Sequence, residues 1–121
     1  MEVAVNDIFN LNKGLTTLSE KELPVGVAFS IQRINRIVGY ELKTAEEMRT
    51  KLINKYKDKD LEDGRIQLKE DKLDEFKKEL DELLKQKVKI DVKKINIKEL
   101  ESISVTPKTL GLLNTILENA N

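Results

Sequence analysis

A chain of 121 residues is the size of one domain, long enough to bury a real core and too short for two independent ones. Its 22 Lys and Arg balance its 22 Asp and Glu, so net charge offers no global attraction to nucleic acid or anionic lipid. Cysteine and histidine are both absent, which excludes disulfides, thiolate catalysis and Cys-based zinc sites and removes the commonest general base.

In chain order, Glu2–Val5 reads as a short strand. Asn6 or Asp7 then caps a helix whose Ile8, Leu11, Leu15 and Leu18 recur at helical spacing. Gly14 costs that helix a little propensity. Leu23-Pro24 opens the longest element, with proline in its first turn. Ala28, Ile31, Ile34, Val38, Leu42, Ala45, Met48, Leu52 and Tyr56 follow a period near 3.6, predicting one amphipathic helix from Pro24 to Tyr56, about 50 Å long. Its other side carries Arg33, Arg36, Lys43, Glu47 and Lys51. Gly26 and Gly39 are places where it could kink or meet a neighbouring helix closely.

The segment 57–65, KDKDLEDGR, is a charged turn reversing at Asp63-Gly64. Ile66–Leu68 follows as a brief strand. A third helix is expected from about Asp71 to Gln86, with Leu73, Phe76, Leu80, Leu83 and Leu84 on its apolar face, making an antiparallel hairpin with the long helix. The alternation in Val88–Ile95 predicts a half-buried strand able to pair with Glu2–Val5. Asn96–Ser102 suggests a short helical turn. Thr106-Pro107 is an N-cap and first-turn pair opening a last helix with Leu110, Leu113, Ile116 and Leu117 inside. The fold class is therefore α+β, mostly helical: a long antiparallel helical hairpin with flanking helices and a small antiparallel sheet in a single domain, 1–121.

Few residues invite chemistry. The acidic turn fails as a calcium loop: with Gly64 at the sixth position, Lys59 and Leu61 fall where carboxylates are needed. No serine has a nucleophile-elbow context, and there is no phosphate-binding glycine loop. No cofactor or metal is expected, and the chain reads as non-enzymatic. Lys85, Lys87, Lys89, Lys93, Lys94 and Lys98 are the one local charge excess and could touch phosphate. They lack interleaved aromatic residues for stacking, and lysines commonly end helices or blunt strand edges. Gln32, Arg33, Asn35, Arg36, Lys43 and Arg49 make the long helix's polar face basic and amide-rich, a candidate protein-docking surface. The opening MEVAVNDIF is not a signal peptide and no apolar run approaches ~20 residues, so a cytoplasmic protein is expected. Because the helical pair alone cannot cover both sides of the long helix, a homodimer or higher assembly along it is expected.

The stretch KELPVGVAFSIQRINRIVGYELKTAEEMRTKLINKY, the acidic D-G turn, the DEFKKELDELL helix and the KIDVKKINIKELESISVTPKTLGLL ending together resemble small uncharacterised proteins of tailed bacteriophages and prophages of Gram-positive bacteria. The resemblance covers nearly the whole chain and includes no catalytic motif. It implies a phage-associated accessory protein and carries over no defined site; the absence of cysteine and histidine, the charge-rich surface and the long amphipathic helix point to one that binds a host or viral protein, as an assembly factor or a counter-defence inhibitor. Two other functions fit the sequence less well: a nucleic-acid accessory protein using the 85–98 lysines, and a small-nucleotide binder with its site between subunits.

Overall fold

The computed structural model describes residues 1–119. A short strand, β1 (Glu2–Ala4), leads directly into α1 (Val5–Ser19). The helix starts earlier than a cap at Asn6 or Asp7 would allow. Asp7 instead lies in the first turn, and its Oδ2 accepts the Ala4 N–H at 2.9 Å, satisfying a donor that the helix leaves free. Ile8, Leu11, Leu15 and Leu18 are all fully buried, each contributing ~1.5–3 kcal/mol of burial.

The long helix, α2 (Val25–Tyr56), is one uninterrupted element of 32 residues, about 48 Å at 1.5 Å per residue. Pro24 sits at its N-cap, one position outside the first turn. Its buried stripe is Val27, Ile31, Ile34, Val38, Ala45 and Tyr56. Four expected members are not in it, of which Leu42 and Leu52 are half-buried at its edges. Ala28 is exposed because Val27 takes the place one turn before Ile31, and Met48 is turned off the stripe and exposed. The glycines at 26 and 39 open onto free space, so neither is a point of close helix contact within the chain.

Tyr56 passes straight into a hairpin that reads from sequence only as a turn and a strand: β2 (Lys57–Asp60) pairs antiparallel with β3 (Ile66–Leu68). Gly64 makes its reversal at φ +85°, where a Cβ is unfavourable. A 3₁₀ turn over Glu70–Lys72 then feeds α3 (Leu73–Leu84), shorter than the expected 71–86. This helix runs back along the C-terminal half of α2, with Phe76 edge-on to Tyr56 at 5.9 Å and Glu79 bonded to Lys55. The expected helical hairpin is present but covers only that half. α1 lies along the middle of α2, from Ser19 beside Asn35 to Phe9 beneath Arg49. Where the two shorter helices meet, the Val5 N–H donates to the Gln86 carbonyl at 2.8 Å.

The strand expected over Val88–Ile95 is cut to β4 (Lys87–Lys89), paired antiparallel with β1 in the register Glu2 with Lys89 and Ala4 with Lys87. The pairing runs one residue past β4, where Ile90 and Met1 exchange both backbone hydrogen bonds, at 2.8 and 2.9 Å. Ile90 is buried, and Val92, farther along the alternation, packs at the edge of the core without a strand partner. Residues 91–93 cross the N-terminal half of α2. Beyond them β5 (Ile95–Asn96) pairs in parallel with β6 (Leu117–Glu118), a contact that no antiparallel sheet anticipates. The Asn96 side chain caps the 3₁₀ turn Ile97–Leu100.

Thr106 caps α4 (Pro107–Leu112) as expected, its Oγ1 accepting the Thr109 N–H at 3.2 Å. The last helix is only six residues long; Ile116 lies in a 3₁₀ turn and Leu117 in β6. Leu113 and Ile116 are nonetheless fully buried. They close the core from the far side of α1, where Leu113 lies against Gly14. The result is one connected core with α1 at its centre, between α2 and the C-terminal segments. Among the described residues no helix is long and apolar enough to cross a membrane.

Candidate interaction surface

With one side of α2 buried by α1, α3 and the 91–93 crossing, the opposite side is left to solvent. Stepping along it in fours and threes gives Val25, Phe29, Gln32, Arg36, Gly39 and Lys43, all exposed. Tyr40 stands beside this line. Val25 is 88% exposed, Tyr40 77% and Phe29 64%, values far above those of an apolar or aromatic side chain placed to serve the core. Phe29 and Tyr40 are three turns apart, or ~16 Å along the axis. The chain's other aromatic residues are engaged internally: Tyr56 with Phe76, and Phe9 beneath the Arg49 guanidinium at 4.7 Å.

Gln32, Arg33, Arg36 and Lys43 are thus brought onto one surface, as their spacing requires. Arg49 is not among them. It lies over Phe9 on the α1 side, eleven residues or about three turns past Val38 and so in phase with the buried stripe. Asn35 also faces inward, donating through Nδ2 to Ser19 Oγ at 3.0 Å and clipping α2 to the end of α1. Arg33 holds the edge of the surface, with its Cζ 5.9 Å from the Phe29 ring centroid.

The lysine-rich segment does not form a single patch. Lys85 bonds Asp81 at 2.7 Å, one turn back on α3, and that hydrogen bond raises its pKa from the ordinary 10.5. Lys85 and Lys87 border an open groove that also holds Asp7 and Asp81, so the charges there offset one another. Lys89 is on the β4 edge opposite Glu2. Lys94 and Lys98 are exposed farther along the chain. Lys93 is separate from the rest. It borders a notch of about 80 Å³ between the 91–93 crossing and α2, together with Ser30, Arg33, Ile37 and Asp91. One residue from each of the two basic sets therefore meets at the same place.

In the hairpin, Asp60 is bonded to Lys57 at 2.8 Å and Asp63 to Arg65. Among the described residues no group of three or more carboxylates is placed to hold a metal ion. Among the described residues, the outer face of α2 is the one surface where exposed apolar, aromatic and arginine side chains coincide, the composition typical of protein interface anchors. Phe29 and Tyr40 are exposed residues of this surface that the basic pattern alone misses. Their signal was available: both fall on the polar side of the helical wheel in a chain with only 4% aromatic residues.

No family model matches the chain, and no curated protein or solved structure is similar to it.

Proposed function

We propose that this is a non-enzymatic protein-interaction module that engages a partner through the outward face of α2. The observation that carries the reading is the exposure of Phe29 and Tyr40 on the side of a rigid helix opposite its buried stripe. Exposed large apolar side chains grouped on one face mark docking sites, and a continuous helix presents them without an ordering cost at binding. The resemblance to phage and prophage proteins makes a host or viral protein the expected partner. A cytoplasmic location accords with this.

Photo-crosslinking tests the reading. A photoreactive phenylalanine analogue is placed at Tyr40 or, as a control, at Lys77 on the exposed side of α3, in cells producing the protein. A discrete protein adduct from position 40 and none from position 77 is the expected result. Equal labelling from both positions, or none from position 40, would overturn it.

A further inference from the structure

We infer that the partner presents an acidic, amphipathic helix to the N-terminal half of α2, with one of its carboxylates seated between Arg33 and Lys93. This rests on the interaction-surface reading above and specifies its chemistry.

Charge is the first argument. Five ion pairs are formed among the described residues, and all involve residues between Lys55 and Lys85. Arg33, Arg36, Lys43 and Lys93 take part in none. From Val25 to Lys43 the one carboxylate of α2 is Glu41, which is half-buried toward the inner side. From Val25 to Tyr40 the outer face thus carries positive charge alone in a chain whose net charge is zero, while Lys43, at its lower end, lies beside Glu46 and Glu47. An acidic partner complements it and gains association rate as well as register.

Shape is the second. The fours-and-threes line Val25, Phe29, Gln32, Arg36, Gly39, Lys43 has the spacing with which one helix receives another, side chains entering the gaps between turns. Gly39 has open space where its side chain would be, so a partner's large side chain can enter beside Tyr40. A second copy in parallel register would set Arg36 on Arg36 and Lys43 on Lys43, like charge against like.

The notch supplies the third. Its volume of about 80 Å³ admits a carboxylate but not a nucleotide. Arg33 and Lys93 supply two positive charges against the one carboxylate of Asp91, and Ser30 a hydroxyl. A guanidinium matches a carboxylate with two parallel hydrogen bonds. Single-stranded nucleic acid fits poorly, because Phe29 and Tyr40 are too far apart to stack successive bases and Val25 asks for an aliphatic contact.

The test uses the full chain and a dye-labelled helical peptide with leucine along one seam and glutamate beside it, followed by fluorescence anisotropy. Binding is expected to weaken about tenfold or more in the Arg33→Glu/Arg36→Glu variant and on raising salt from about 50 to about 300 mM. A peptide with lysine in place of glutamate should bind that variant and not the parent chain. Circular dichroism establishes that the variant is folded. Failure of the acidic peptide to bind, or equal binding of a glutamine version, would overturn the inference. So would tighter binding of oligothymidylate or of phosphatidylglycerol vesicles, or a stable dimer by light scattering that Tyr40→Glu disperses. A partner crosslinked from position 40 whose capture ignores Arg33→Glu/Arg36→Glu would sink this inference while leaving the interaction module standing.

Discussion

Leu113 occupies the space where Gly14 lacks a side chain. A Cβ on Gly14 would lie 2.7 Å from Leu113 Cγ and 2.8 Å from its Cδ2. Leu113 is fully buried and has nowhere to retreat. Alanine normally stabilises a helix over glycine by roughly 1 kcal/mol, whereas overpacking a core costs roughly 1–3 kcal/mol. Gly14→Ala should therefore lower unfolding stability by about 1 kcal/mol despite its better propensity. In a Leu113→Ala background the same change should turn neutral or stabilising. Urea denaturation of the four chains in the double-mutant cycle measures this, and an unchanged effect of Gly14→Ala in both backgrounds would refute the contact.

The outer face and the core of α2 should respond in opposite ways. Ile34 is 3% exposed, and Ile34→Ala should cost about 2–5 kcal/mol. Phe29→Ala and Tyr40→Ala should each change stability by no more than about 0.5 kcal/mol, since neither supports the fold. Thermal melts separate these cases. A large loss in Phe29→Ala would mean that the residue serves folding and not docking.

Gly64 should resist replacement for a backbone reason. Its φ of +85° is reached by L-residues at a cost of roughly 1–2 kcal/mol. Gly64→Val should loosen the β2–β3 hairpin, and Gly64→Asn should do so less. Amide exchange is the appropriate readout. Faster exchange is expected at Leu61, whose N–H donates to the Arg65 carbonyl at 2.8 Å, with little change in α1.

The Lys55–Glu79 pair, at 2.9 Å, ties α3 to α2 and should leave a pH signature. The hydrogen bond from Lys55 holds Glu79 below its ordinary value of 4.5, and the same bond raises Lys55 above its ordinary 10.5. A depressed carboxylate stabilises above its unfolded value and loses that contribution as pH falls through the folded one. A raised lysine stabilises below its unfolded value and loses that contribution as pH rises through the folded one. The pair should thus support the fold between about pH 4.5 and 10.5 and fade on either side. The contribution is small for a pair in contact with solvent. Glu79→Gln should flatten the acid-side slope of Tm against pH; an unchanged slope would count against the bond.

Periodic elements were the part of the fold most legible in the sequence. The run from Pro24 to Tyr56 announced α2 because its apolar residues recur every 3.6 positions over nine turns. Thr106-Pro107 announced the start of α4 because capping is local chemistry. Endings were less visible. Nothing between Val88 and Ile95 shows that β1 is too short to pair with all of it, since a strand's length depends on its partner. The parallel match of Ile95 with Leu117 joins residues that carry no mutual signal in sequence. At the surface, Arg33, Arg36 and Lys43 share the side of α2 left to solvent, whereas Arg49, in phase with Val38, lies over Phe9. The approach of Lys93 to Arg33 required the chain to cross back over α2.

The central position of α1 has a consequence for how the molecule is made. During synthesis Leu11 and Leu15 emerge early, but the segment bearing Leu113 and Ile116 that closes over them is translated about a hundred residues later. At ~5–20 residues per second, that leaves the first helix waiting for at least ~5 s with part of its apolar surface uncovered. A ribosome stalled before Leu113 should therefore hold a sticky, protease-sensitive nascent chain, and resistance to cleavage should arrive abruptly once the final turns clear the exit tunnel.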